Sequence, residues 1–315
     1  MTDFGIRYGE HVTRARWDNR PLVALESTII SHGLPHPDNL RVAHQIEQTV
    51  RDQGAVPATI GMIGGELIVG LDDGQIEQLA LAQGVAKLSV RDLAVAAARR
   101  ADGATTVAAT SAVAAAAGIG VFATGGLGGV HREANVTFDE SADLTTLANT
   151  PIVVVCAGVK SILDVGATLE RLETLGVAVA GYRTTRFPGF FITDGGFDID
   201  WALDSPEQVA DVIRARSDQN VGAGALILAN PLPTDEQLDP ELHDRTLTEG
   251  LALLERDKIT GKAVTPFLLG YFHESTHGRS LEVNVRIILR NAELAARIAV
   301  ATAADATAPL GFSAT

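Results

Sequence analysis

Between Val121 and Asp164 the chain twice passes from a short apolar stretch into a polar loop containing glycine. Val121-Phe122-Ala123 leads into Gly125-Gly126-Leu127-Gly128-Gly129, and Ile152 to Cys156 leads into Gly158 and Lys160. Both stretches have the look of buried strand ends. Apolar strand followed by polar loop is how an open α/β sheet presents chemistry, because ligands settle at the carboxyl ends of its strands. Between the two runs lie His131, Arg132, Glu133, Asp139, Glu140, Ser141 and Asp143, and Lys160 follows the second run at what reads as a helix start.

Composition narrows the class further. Ala, Val, Ile, Leu and Gly abound while aromatics make up only 5% of the 315 residues, which suits a helix-covered sheet better than an antiparallel sandwich or barrel. The formal charge of −14 argues against nucleic acid as a partner, since phosphate contacts need clustered Lys and Arg. A phosphorylated small molecule remains compatible, through a local positive pocket. Cys156 is the sole cysteine and sits in an apolar run, so packing is expected of it rather than reactivity, and a cytoplasmic setting with it. No secretory pattern opens the chain. The uncharged span Ala104 to Val130 is long enough to cross a membrane, but glycines interrupt it, and it reads as buried core.

The remaining elements fall around this stretch. Leu22 to Leu25 reads as a strand followed at once by Glu26. Asp38 or Asn39 is expected to cap a helix to about Gln53. Ala58 to Ile63 and Glu66 to Gly70 form a hairpin signal across Gly64-Gly65. Val85 to Val90 reads as a strand carrying Lys87, and an Ala-rich helix follows Thr105-Thr106. A helix is expected from just after Lys160 to about Leu175, one at Pro206 behind a Ser205 cap, one over Pro240 to Asp257, and a long one from Leu281 to about Ala304. Residues 1–20 read as a lead-in, 21–304 as one domain and 305–315 as a loose tail.

Several residues are candidates for chemistry. A lysine just past an apolar strand, at a helix start and out of bulk water, is placed to act as a free amine nucleophile; the competing reading is a solvated Lys160 paired with Asp164. Glu26, at a strand end, is a candidate general acid, or else a cap acceptor beside Ser27 and Thr28. Asp139, with Glu140 and Asp143, has the oxygen ligands for a hard divalent metal, and His131 adds a nitrogen; an exposed acidic loop is the alternative. The glycines at 125–129 miss the dinucleotide spacing, since His131 stands where the third glycine belongs, and read as a close-approach loop for a smaller ligand. Thr105, Thr106 and Ser141 offer hydroxyls and amides to a phosphate, and Lys87 offers charge.

Motifs then combine. Leu25-Glu26-Ser27-Thr28-Ile29-Ile30-Ser31-His32-Gly33, Phe122-Ala123-Thr124-Gly125-Gly126, Thr137-Phe138-Asp139, Ser141-Ala142-Asp143-Leu144, Cys156-Ala157-Gly158-x-Lys160-Ser161 and Thr265-Pro266-Phe267-Leu268-Leu269 occur in order. The run from about Pro21 to about Ala299 resembles the pseudouridine-5'-phosphate glycosidase family, also called the indigoidine synthase A family. The resemblance implies a three-layer α/β/α fold with a central mixed, largely parallel sheet. It also implies a homotrimer, a divalent metal, typically Mn2+, and reversible cleavage of pseudouridine 5'-phosphate to uracil and ribose 5-phosphate. By motif position it makes Lys160 the nucleophile, Glu26 the proton donor and Asp139 the metal ligand. Lys87, Val107, Thr106, Thr124, His131, Ser141, Ala142 and Asp143 fall on substrate-binding positions, and a site asparagine falls on Asn284 or Asn291. Two other readings use the same residues: an imine-forming sugar-phosphate aldolase, and a non-catalytic phosphosugar-binding protein.

Overall fold

The computed structural model describes residues 5–220, 222–259 and 263–307. In chain order the strands are β1 (Ile6–Tyr8), β2 (Leu22–Leu25), β3 (Val56–Ile63), β4 (Glu66–Val69), β5 (Ala86–Leu88), β6 (Gly103–Thr105), β7 (Val121–Ala123), β8 (Val153–Cys156), β9 (Ala178–Tyr182), β10 (Arg186–Phe187), β11 (Phe197–Asp198), β12 (Ala202–Leu203) and β13 (Leu226–Ala229). The helices are α1 (Glu10–Trp17), α2 (Asp38–Asp52), α3 (Asp73–Leu81), α4 (Leu93–Ala98), α5 (Val107–Ala116), α6 (Ala134–Thr137), α7 (Ala142–Ala148), α8 (Val165–Thr174), α9 (Pro206–Gln219), α10 (Pro240–Asp257), α11 (Val264–Ser275) and α12 (Arg279–Thr307).

The main sheet runs β1-β4-β3-β2-β7-β8-β13-β9-β12, with β6 paired to β3 and β5 to β6. From β3 to β12 every neighbour along this path is parallel, while β4 and β6 lie antiparallel to β3. Successive side chains of a strand point to opposite faces, and here they enter two different cores. Val23, Leu25, Val121, Ala123, Val153, Val155, Leu226 and Leu228 pack into one core with residues of α2 and α12, whereas Ala24, Phe122, Val154, Cys156 and Ile227 join another containing residues of α5, α7 and α8. A parallel sheet buried on both faces produces unbroken apolar strand sequences, which is why β8 reads Val-Val-Val-Cys. The result is a three-layer α/β/α fold with a mixed, largely parallel sheet.

Some elements depart from expectation. The segment read as a lead-in supplies an edge strand, since β1 pairs with β4. The cap of α2 is Pro37 with no side-chain bond. Asn39 is instead fully buried, donating to the carbonyls of Ile30 and Ala80 at 2.9 and 2.8 Å. The last helix continues to Thr307, and the rest of the expected tail lies outside the described residues. Among the described residues no helix is long and apolar enough to cross a membrane, and the uncharged span from Ala104 is divided between β6, α5, β7 and the glycine loop.

Candidate active site

Parallel pairing brings the carboxyl ends of β2, β7 and β8 to one edge of the sheet. Leu25 sits beside Ala123, so the residues that follow, Glu26 and Thr124, leave the sheet side by side. The Thr124 hydroxyl donates to Glu26 Oε1 and the Thr28 hydroxyl to Oε2. Glu26 is only 8% exposed, and a buried carboxylate needs such donors. Thr124 is itself fully buried beneath Glu26 and does not reach the cavities described below.

Lys160 follows β8 in a loop that is zipped onto the glycine loop. Leu127 N donates to Gly158 O at 2.9 Å, Lys160 N to Leu127 O at 3.1 Å and Asp164 N to Val130 O at 2.9 Å. These bonds delay the helix: α8 begins at Val165, with Asp164 as the cap accepting from Ala167 N at 2.9 Å. Two sequence readings are thereby corrected. Lys160 is not at a helix start, so a dipole end does not act on its amine, and Asp164 is a cap rather than its ion-pair partner.

Three adjoining cavities form one cleft along this edge. At its waist Glu26, Lys87, Lys160 and Asn284 line a common wall with Gly125 and Phe190. One side opens into a polar chamber of about 360 Å³, which Glu26, Lys87 and Lys160 also line. The other side opens into an annex of about 230 Å³, of which Asn284 is also a wall. Asn284, at 8% exposure, is thus the asparagine that faces the cleft. Asn291 is structural: it donates to Thr124 O at 2.8 Å and accepts from Asn230 at 3.0 Å.

The polar chamber is lined by Thr106, Val107, His131, Asp139, Ser141, Ala142 and Asp143. Thr106 caps α5 and Ser141 caps α7, so two helix starts face it. Helix starts carry partial positive charge, and together with Lys87, Arg91 and Lys160 they suit a phosphate. Asp143 locks this wall together, its Oδ1 accepting from Ala108 N at 2.9 Å and its Oδ2 from Gly128 N at 2.8 Å. Thr105, expected to help, does not: it is fully buried and donates to Ile60 O at 2.7 Å.

The acidic metal cluster expected from Asp139, Glu140 and Asp143 does not assemble. Both Asp143 oxygens are taken by backbone amides, and Glu140 pairs with Arg171 at 3.0 Å. Asp139 remains, with His131 Nδ1 3.8 Å from its Oδ2, and among the described residues no group of three His, Cys, Asp or Glu side chains is placed to hold an ion. A single half-exposed carboxylate at the mouth of a phosphate-suited chamber fits a hard dication whose other ligands are water and substrate oxygens, the usual arrangement for such ions beside phosphates.

The glycine loop serves packing within the protein as much as ligand approach. A Cβ on Gly128 would sit 2.3 Å from Ser141 Oγ, one on Gly126 2.6 Å from Phe190 and one on Gly129 2.4 Å from Thr168 Oγ1. Sequence reasoning missed His32, which lines waist and annex. Burial, then the nearby Lys87 charge, hold its imidazole below the usual histidine range, against a backbone bond from Val85. The signal lies in Ser31-His32-Gly33, the end of the motif that runs from Leu25. Cys156 is fully buried and its thiol is pushed up to about 12, as expected of a packing residue.

Known proteins resemble this chain along most of its length. The family model described as indigoidine synthase A like protein matches residues 11–301. A Salinispora tropica protein named pseudouridine-5'-phosphate glycosidase is 73% identical over 96% of this chain and 94% of its own length. A Streptomyces griseus protein of the same name is 59% identical over 91% of this chain and 88% of its own. Among solved structures, the prealnumycin C-glycosynthase AlnA in complex with ribulose 5-phosphate superposes with a TM-score of 0.88 at 36% identity, covering 97% of this chain and 99% of that one. An indigoidine synthase A-like protein from Thermotoga maritima does so with a TM-score of 0.85 at 32% identity, covering 95% and 96%. The chain belongs to the indigoidine synthase A-like family.

Proposed function

We propose that this chain is a pseudouridine-5'-phosphate glycosidase that reversibly cleaves the carbon–carbon glycosidic bond of pseudouridine 5'-phosphate to uracil and ribose 5-phosphate. The observation that carries this reading is that Glu26 and Lys160 line the same two cavities, between a phosphate-suited chamber and a less polar annex. The names of the relatives and the sugar phosphate bound by AlnA support it.

The residues suit the chemistry. A carbon leaving group has no lone pair to protonate, so the pair of carboxylates used by ordinary glycosidases is insufficient. Glu26 protonates the ribose ring oxygen and the sugar opens. The free amine of Lys160 adds to the anomeric carbon. Protonation of the uracil ring carbon lets the carbon–carbon bond break, leaving a lysine–sugar imine, and water hydrolyses it to ribose 5-phosphate and free Lys160. Thr124 and Thr28 hold Glu26 in place through both oxygens. The starts of α5 and α7, with Lys87, hold the phosphate, and Asn284 faces the base. Asp139, with His131 beside it, would hold Mn2+, which when bound offsets phosphate charge and orders water. We place the enzyme in the cytoplasm as a homotrimer, on the strength of the family resemblance.

The test is uracil release from pseudouridine 5'-phosphate, measured with Mn2+ and with a chelator. Release that needs the metal is the expected result. Simple ketose phosphates serve as controls, and their cleavage in place of pseudouridine 5'-phosphate would favour an aldolase. Binding without any turnover would favour a regulator.

A further inference from the structure

We infer that His32 is a further catalytic residue, the proton carrier on the aglycone side of the cleft: its imidazole takes the proton that the Lys160 nitrogen gains on bonding to the anomeric carbon and hands it to the uracil ring carbon. The inference rests on the proposed glycosidase reading and supplies the proton donor which that reading leaves unnamed.

Position singles out His32. Among the described residues, the titratable side chains lining the waist are Glu26, His32, Lys87 and Lys160. Glu26, Lys87 and Lys160 also line the polar chamber, on the side of the sugar phosphate. His32 does not; it lines the annex instead, on the side of the base. His273 and Ser280 are polar walls of the annex too, but neither borders the waist. His32 is thus the one titratable group that borders the reacting centre from the aglycone side.

The turn that carries His32 is fixed on both flanks. Ile30 N and Ser31 N donate to Ser27 O at 3.0 and 3.2 Å. The Ser31 hydroxyl donates to Leu79 O at 2.8 Å, and Asn39 donates to Ile30 O at 2.9 Å. The ring itself is exposed to the cleft. Partial desolvation and the charge of Lys87 hold it below the usual histidine range, and a hydrogen bond with the Val85 backbone occupies one of its nitrogens. A neutral imidazole with one nitrogen engaged keeps the other as a base.

The chemistry calls for a base first and an acid second. Glu26 has by then given its proton to the sugar ring oxygen, which keeps it as a hydroxyl. The Lys160 amine enters as NH2 and, once bonded to the anomeric carbon, carries a positive charge and no free electron pair. His32 removes one of its protons, which leaves a secondary amine with a free pair and an imidazolium. The imidazolium passes that proton to the ring carbon, where the ring double-bond pair makes the new C–H bond. The nitrogen pair then forms the C=N bond, and the pair of the breaking carbon–carbon bond restores the ring double bond. Uracil leaves neutral, His32 is neutral again, and Lys160 holds the sugar as a protonated imine. The nitrogen and the ring carbon sit on the same anomeric carbon, so one imidazole nitrogen serves both transfers.

The test mixes His32→Gln protein with pseudouridine 5'-phosphate and Mn2+ and follows uracil release and intact-protein mass together. Release should fall about a hundredfold or more, the effect of losing a general acid–base group. Protein carrying the whole nucleotide on Lys160 should accumulate, because the bond to Lys160 forms before the blocked transfer. Borohydride trapping of ribose 5-phosphate on Lys160 should persist, since that imine forms without a base present. If His32→Gln loses trapping, His32→Asn carries the same comparison, and loss in both variants overturns the inference, because His32 would then shape the site rather than move a proton. Release near the wild-type rate overturns it, as does slow release with no nucleotide adduct. Wild-type protein that releases no uracil instead strikes the glycosidase reading itself.

Discussion

Thr124, the residue after β7, donates its hydroxyl to the carboxylate of Glu26, the residue after the neighbouring parallel strand β2, so the pairing of the two strands sets the position of the acid. Thr124 lines none of the three cavities of the cleft, which makes it a positioning residue. Thr124→Val keeps the volume and removes the donor. A hydrogen bond to a charged group is worth about 1.5–3 kcal/mol, so kcat should fall about tenfold to a hundredfold with KM little changed. Thr124→Ser should restore most of the rate. Glu26→Gln should bind substrate without turnover, and steady-state kinetics with a direct binding measurement on all three variants separates these outcomes.

Asp143 accepts one backbone amide on each oxygen, and an asparagine can accept on only one. Asp143→Asn leaves Ala108 N or Gly128 N facing an NH2 group in a buried place, which costs about 2 kcal/mol. Thermal melting should show the loss. KM for the phosphorylated substrate should rise more than kcat falls, because the helix starts shift while Glu26 and Lys160 stay in place.

The Cys156 thiol, raised to about 12 by complete burial, stays neutral through the working range, and the thiolate is the species that alkylates. Folded protein at pH 8 should therefore take up no iodoacetamide over a time in which urea-unfolded protein takes up one equivalent. Rapid labelling of the native protein would mean that β8 opens readily.

The sheet and its working edge were legible because buried parallel strands write unbroken apolar runs, and the residue after each run is where chemistry sits. Glu26 after β2 was found in this way. What local pattern does not record is the pairing of one loop with another. The helix expected just after Lys160 begins only at Val165, because the bonds from Lys160 and Asp164 to the loop 127–130 hold the intervening residues out of it. For the same reason Asp143 read as an acidic loop residue, although backbone amides from two distant segments claim both its oxygens. His32 went unassigned because its place in the cleft depends on how the turn Ile29–Gly33 folds over the sheet edge.

Borohydride reduction in the presence of ribose 5-phosphate, followed by peptide mass mapping, addresses the imine most directly. The account predicts a reduced sugar phosphate on Lys160 alone, absent from Lys160→Ala protein that melts like the wild type. Labelling of Lys87 in its place, or uracil release that persists in Lys160→Ala, would contradict it.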